Sequence, residues 1–185
     1  MQENSGPAPQ NPFFDGKVVE ANRTRSSVGE RICLEPARSV EDVATVRQLF
    51  SEYAQSLGFS LCFQSFDAEL KNLPGDYAPP SGRLLLLTVD LAPAGCVALH
   101  RLAAEVCEMK RLYVRPQFRA KGLGKLLAER VIDEARQIGY RKIRLDTVAP
   151  IMATAVSIYR NLGFQEIAPY RSNPIEGTLY LELAL

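Results

Sequence analysis

Residues 83–138 restrict the fold more than any other part of the chain. Three strand-like segments stand in a row there: Arg83 to Val89, Gly95 to Leu102 and Glu105 to Val114. Their connections, Asp90 to Ala94 and Ala103–Ala104, are too short for a crossover, so neighbouring strands must run antiparallel. Arg115–Pro116 ends the third strand. A turn with two glycines and the basic residues Arg119, Lys121 and Lys125 then leads into a helix after Gly124. Leu127, Ala128, Val131, Ile132, Ala135 and Ile138 form its apolar stripe, and Gly139 is its stop.

The flanking segments complete the pattern. Ile32 and Leu34 suggest a short strand closed by Pro36. Ser39 can cap a helix, with Asp42 three residues on, and Val43, Val46, Phe50, Tyr53 and Leu57 recur at helical spacing up to Gly58. A second short helix fits within Phe63 to Leu73, followed by a loop from Pro74 to Gly82. Beyond the long helix, Ile143 to Val148 reads as a strand. Pro150 suits the first turn of a last helix, in which Ala155, Ile158, Tyr159 and Leu162 share a face and which Gly163 ends. Phe164 to Ile167 and Thr178 to Leu183 give two closing strands. The sum is a mixed α/β sheet with helices on its faces.

The chain has 185 residues, 46% hydrophobic and 23% charged, which fits one domain with a full core. That domain is expected over residues 31–185. Residues 1–30, with Pro7, Pro9 and Pro12 and few apolar side chains, read as a flexible extension outside it. Basic and acidic residues number 22 and 21, a balance that calls for no nucleic acid and no membrane surface as partner. The apolar run Leu84 to Leu87 is far short of the roughly 20 residues that span a bilayer. Cys33, Cys62, Cys96 and Cys107 are scattered among apolar residues and read as buried free thiols, which points to a reducing, cytoplasmic compartment. His100, the single histidine, excludes a multi-histidine metal site and reads as a strand or loop residue with a local hydrogen bond.

The stretch from Arg119 to Lys125 carries the chemistry. Glycines let a ligand approach the backbone, and a helix N-terminus with basic neighbours favours an anion, usually a phosphate. It is not a nucleotide-triphosphate loop, because Leu126 follows Gly124-Lys125 and Arg119 stands where the first glycine belongs. It is not a dinucleotide fingerprint either, because Leu127 replaces the third glycine. A plain structural turn remains the alternative on glycine content alone.

Arg119-x-x-Gly122-x-Gly124 resembles the acyl-CoA pyrophosphate loop of the GNAT superfamily of N-acyltransferases. Cys107 to Val114 looks like the fourth strand of that fold. Ala155-x-x-Ile-Tyr159-Arg-Asn-Leu-Gly163-Phe164 resembles a third segment of the family, with Met152 where many members have asparagine. The resemblance covers residues 31–185. It implies a mixed, mostly antiparallel, seven-stranded twisted sheet flanked by about four helices. It also implies acetyl transfer from acetyl-CoA to a primary amine, with no metal required.

By that resemblance, Leu112, Tyr113, Val114, Arg119, Ala120, Lys121, Gly122, Leu123, Gly124 and Lys125 hold the acyl-CoA. A backbone N–H near Leu112 to Val114 would hold the oxyanion. The attacking amine has a pKa of about 10 and must lose a proton. Glu108, on the strand beside the thioester, is the expected general base, and a glutamate paired with Lys110 or Arg111 is the alternative. The departing thiolate, with a conjugate pKa of about 8.5, needs an acid. Tyr159 occupies that position, and a core tyrosine is the alternative. For the acceptor, Asp67, Glu69 and Asp76 could bind a cation, and Arg171 and Asn173 a carboxylate, hinting at an amino-acid-like amine; a solvated loop residue is the alternative for each, and protein N-termini, lysine side chains and polyamines remain open as acceptors. A non-catalytic acyl-CoA sensor is the rival function. Monomer and homodimer both remain open.

Overall fold

The computed structural model describes residues 29–61 and 65–185. Most of the expected extension, residues 1–28, and Cys62 lie outside the described residues. The elements are β1 (Ile32–Pro36), α1 (Val40–Ser56), α2 (Phe66–Asn72), β2 (Arg83–Val89), β3 (Ala92–Arg101), β4 (Val106–Val114), α3 (Leu123–Ile138), β5 (Lys142–Val148), α4 (Ala153–Asn161), β6 (Gln165–Glu166) and β7 (Thr178–Ala184). They form one seven-stranded sheet in the order β1-β2-β3-β4-β5-β7-β6. Every pairing is antiparallel except β4 with β5, the mixed, mostly antiparallel sheet that the family resemblance implied.

Local chemistry sets most boundaries. At α1 the Asp42 N–H donates to Ser39 Oγ at 3.0 Å and the Ser39 N–H donates to Asp42 Oδ2 at 3.1 Å, a reciprocal capping box. The β2–β3 connection is tighter than expected. It is only Asp90–Leu91, with φ of 49° and 69°, the pair of positive values a two-residue hairpin demands. Pro93 therefore stands inside β3, opposite Thr88, where the register shifts. At α4 the helix starts at Ala153, and Pro150 belongs to the preceding turn, in which Ile151 and Met152 donate to the Val148 carbonyl.

The sheet has a core on each face. On one, α3 and α4 close over Leu85, Leu87, Val97, Met109, Ile143 and Leu145. On the other, α1 and α2 close over Leu84, Cys96, Ala98 and Tyr113. The period-2 alternation of each strand sorts its residues between them. Cys96 and Cys107 are buried free thiols, but Cys33 is exposed, because alternation along β1 turns Leu34 inward and Cys33 outward.

The functional part of the sheet is β4. Its register against β3 shifts between Lys110↔Ala98 and Tyr113↔Cys96, so Arg111 and Leu112 face Val97 alone. Arg111 adopts φ of 57°, a left-handed conformation that costs a non-glycine residue about 1 kcal/mol or more. This bulge moves the alternation on by one. Before it, Cys107 and Met109 face the α3/α4 core; after it, Leu112 and Val114 do. Beside the bulge the sheet opens, because β4 and β5 pair only over Val106↔Lys142, Cys107↔Ile143 and Glu108↔Arg144. Beyond Glu108 the two strands part, and among the described residues no strand pairs with that edge of β4.

Candidate active site

The gap between the diverging strands is a cavity of about 870 Å³. Its walls come from β4, β5, the turn before α3, the start of α4 and the end of α1. At one end is the glycine turn. Ala120 and Gly122 both have positive φ, 61° and 76°, and Gly122 caps α3. A Cβ on Gly122 would meet no atom within 4 Å, so glycine serves the backbone conformation and leaves that surface open. No side chain caps α3, and its first turn holds no acidic residue. The N–H groups of that turn are thus left to an anion, with the helix dipole behind them. The residues here fit a diphosphate by geometry and by sign of charge.

Nine of the ten expected acyl-CoA residues line this cavity: Leu112, Tyr113, Val114, Arg119, Ala120, Gly122, Leu123, Gly124 and Lys125. Lys121 does not; its ammonium pairs with Glu30. Arg119 also serves the turn itself, since its Nε donates to the Val114 carbonyl at 3.0 Å.

Tyr159 lines the same cavity from α4, 6% exposed and tilted against Phe164 with ring centroids 5.7 Å apart. Among the described residues nothing hydrogen-bonds its hydroxyl. Burial pushes its pKa well above the usual tyrosine value, so the phenol keeps its proton at all working pH values. Met152 also faces the cavity, and its sulfur accepts from Thr147 Oγ1 at 3.3 Å.

Glu108 is placed differently from its expected role. It is fully buried and absent from the cavity wall. His100 Nε2 lies 2.7 Å from its Oε2, the Tyr170 hydroxyl donates to its Oε1 at 2.6 Å, and Arg171 Nη1 donates to its Oε2 at 3.1 Å. Burial would raise its pKa, but the His100 hydrogen bond and the Lys110 and Arg171 charges outweigh it and hold the carboxyl at about 2. A carboxylate so deeply stabilised, with its lone pairs engaged, is a weak and inaccessible base. Neither partner of the paired-glutamate alternative holds it: Lys110 stays 3.9 Å away and Arg111 is bound to Glu69, while His100, Tyr170 and Arg171 contact the carboxylate. His100 is indeed a strand residue with a local hydrogen bond.

The acceptor residues sort similarly. Asp67 and Asp76 are exposed and off the cavity. Glu69 is bound by Arg111 in a fork, at 2.9 Å to Nε and 2.5 Å to Nη2, and by the Tyr77 hydroxyl at 2.6 Å. Arg171 bridges Glu108 and Asp146. Asn173 does reach the cavity, where its amide donates to Asp146 Oδ2 at 2.8 Å. Asp146 and Lys110, which sequence reasoning had not assigned, face the cavity. Their signal was available only as strand alternation next to the point where β4 and β5 part. Among the described residues no cluster of His, Cys, Asp or Glu could hold a metal ion, and no helix is long and apolar enough to cross a membrane.

Known proteins agree with this geometry. The family model for the GNAT acetyltransferases matches residues 44–164. An uncharacterized N-acetyltransferase of Schizosaccharomyces pombe is 37% identical over 156 residues, covering 83% of this chain and 95% of its own length. An acetyltransferase of the GNAT family from Staphylococcus aureus superposes with a TM-score of 0.70 at 18% identity, over 83% of this chain and 99% of that one. A Salmonella typhimurium protein described as an acetyltransferase and solved with its cofactor acetyl-CoA superposes with a TM-score of 0.59 at 17% identity, over 83% of this chain and 93% of that one. A strand that parts from its neighbour at a bulge, a glycine-capped helix at the mouth of the gap and an unbroken match through both place this chain in the GNAT family of acetyl-CoA-dependent N-acetyltransferases.

Proposed function

We propose that this enzyme moves the acetyl group of acetyl-CoA onto the primary amine of a small molecule by direct attack inside the β4–β5 gap. One observation carries the assignment: a single cavity joins the start of α3, whose N–H groups no side chain caps, the free edge of β4 at its bulge, and the Tyr159 phenol. The N–H groups at the start of α3 receive the diphosphate of CoA, with Arg119 and Lys125 adding charge. The free edge of β4 from Leu112 to Val114 receives the pantetheine arm and aims a backbone N–H at the thioester oxygen. The acetyl-CoA bound by the Salmonella relative supports this choice of donor.

The residues divide the proton work. As the amine nitrogen bonds to the carbonyl carbon, backbone N–H groups hold the oxyanion. When the carbon–sulfur bond breaks, Tyr159 gives its proton to sulfur. Asp146, the carboxylate on the cavity wall, takes the proton that leaves the amine, directly or through water. Glu108 instead anchors Tyr170 and Arg171, the latter of which in turn holds Asp146. Buried, unpaired Cys96 and Cys107 fit a reducing, cytoplasmic compartment.

Calorimetric titration with acetyl-CoA, CoA and ATP tests the donor. Micromolar binding of both CoA species and none of ATP is expected; no binding of acetyl-CoA overturns the assignment. Thiol release over a panel of amines then separates an enzyme from a silent acyl-CoA sensor, which would bind the donor and release nothing.

A further inference from the structure

Past the last β4–β5 pair, Glu108↔Arg144, the next side chains on the α1/α2 face are Lys110 on one lip of the gap and Asp146 on the other. Beyond that pair the strands no longer hydrogen-bond to each other, and the cavity lies between them. Both side chains line the cavity. The two lips carry opposite charge.

Lys110 is the cation here with donors to spare. Its side chain is 12% exposed, and its nearest carboxylate, Glu108, is 3.9 Å away and already accepts from His100, Tyr170 and Arg171. Among the described residues no acceptor lies within hydrogen-bond distance of the Lys110 ammonium. Of the neighbouring cations, Arg111 is bound to Glu69, and Arg171 is bound to Glu108 and Asp146; only the buried Arg171 Nε lacks a partner among the described residues, and Arg171 is not on the cavity wall. Burial and the Arg111 charge push Lys110 down to about 8, against the pull of Glu108 and Glu69. An arriving anion would relieve that setting. Opposite, Asp146 is held in place by the Asn173 amide and by Arg171 while keeping its place on the cavity wall.

We propose that the acceptor is an amino acid, with its carboxylate on Lys110 and its amino group toward Asp146. This rests on the acetyl-transfer reading of the same site and names its substrate class. It moves the carboxylate contact from Arg171 and Asn173, the candidates the sequence offered, to a lysine on β4. Direct, charge-assisted contact with the substrate carboxylate makes Lys110 a determinant of specificity.

The test uses the full chain with acetyl-CoA and three matched sets: the L-amino acids, their α-amides and the corresponding decarboxylated amines. At least one amino acid should be acetylated with a kcat/KM on the order of 100-fold above its own amide and amine, the scale of a lost charged contact in a buried site. Lys110→Gln should raise the KM for that amino acid about 10–100-fold, keep the KM for acetyl-CoA within about twofold, and spare the amide; Lys110→Arg should restore most of the loss. The substrate comparison needs no variant, so a misfolded Lys110→Gln cannot obscure the answer. If carboxylate-free amines are acetylated equally well, or Lys110→Gln affects acid and amide alike, the inference is wrong and acetyl transfer stands. It is equally wrong if acetyl-CoA binds but no amino acid is acetylated or binds the protein–CoA complex in calorimetry. If acetyl-CoA itself fails to bind, the underlying reading falls with it.

Discussion

Two ionisable side chains expected to share the proton chemistry, Glu108 and Tyr159, lie in opposite settings. Among the described residues the Tyr159 hydroxyl has no hydrogen-bond partner, and burial keeps its proton in place, so Tyr159→Phe removes only the proposed acid. Steady-state kinetics should show kcat falling about 100-fold or more with little change in the KM for acetyl-CoA, and the melting temperature should stay near that of the parent. Glu108 has every lone pair committed and a carboxyl held at about 2, far below the ordinary value. A carboxyl depressed in the folded state stabilises the fold above its unfolded value and loses that contribution as pH falls through the folded one. Stability should therefore drop between about pH 4.5 and pH 2, by on the order of 3 kcal/mol from this group. Urea titrations across that window should show the drop, and Glu108→Gln should flatten it while lowering stability at pH 7. A Glu108→Gln enzyme that is stable at pH 7 and merely slow would restore the base role.

At the level of elements, α3 joins binding to stability. Its stripe of Leu127, Ala128, Val131, Ile132 and Ala135 is buried in the sheet, so the helix cannot move without opening the core. Glu134 fastens it across the surface, accepting from Arg83 Nε at 2.7 Å and Arg130 Nε at 3.0 Å, while Arg130 reaches the Leu34 carbonyl. Glu134→Ala should cost about 2 kcal/mol in denaturant midpoint measurements. That is less than the 3–5 of a fully buried pair, because both arginines reach solvent. The N-terminal turn is held for a different purpose. Gly122 needs φ of 76°, and its missing Cβ leaves the surface above it open. Gly122→Ala should weaken acetyl-CoA binding about 10-fold or more by calorimetry, while the strain removes only about 1–2 kcal/mol of stability.

For the whole molecule, the sheet is a single layer with a core on each face, and the gap between β4 and β5 is where the layer opens. A ligand that fills it touches β4, β5, α3, α4 and the end of α1 together, and so stabilises the native state as a unit. Acetyl-CoA at 100 times its Kd should add about 2.7 kcal/mol, which for a chain of this length is a melting shift of roughly 5–10 °C. Differential scanning fluorimetry with acetyl-CoA against ATP would show it, and an equal shift with ATP would contradict the specificity of the glycine turn.

Periodicity, caps and short connections by themselves determined the order of the seven strands and the three longer helices and the antiparallel meander, because each depends on residues close in sequence; the long helix, expected after Gly124, starts at Leu123 with Gly122 as its cap. The Arg119-to-Lys125 turn and Tyr159 stood out through the family resemblance, whose motifs are each one continuous segment; that both border one cavity is a fact of the structure. The sequence did not reveal that Asp90–Leu91 alone would turn the hairpin, that Arg111 would take a left-handed conformation, or that Lys121 would leave the cavity for Glu30. Nor could it tell which charged residues face a ligand and which face one another. Glu108 meets Tyr170 and Arg171 across more than sixty positions of chain, and Asp146 meets Asn173 only once β5 and the approach to β7 are in place. Only the tertiary structure decides those pairings, because the free energy of a charge is set by what surrounds it in space, and two residues of β4 on the same face can become a sealed anchor and an open contact.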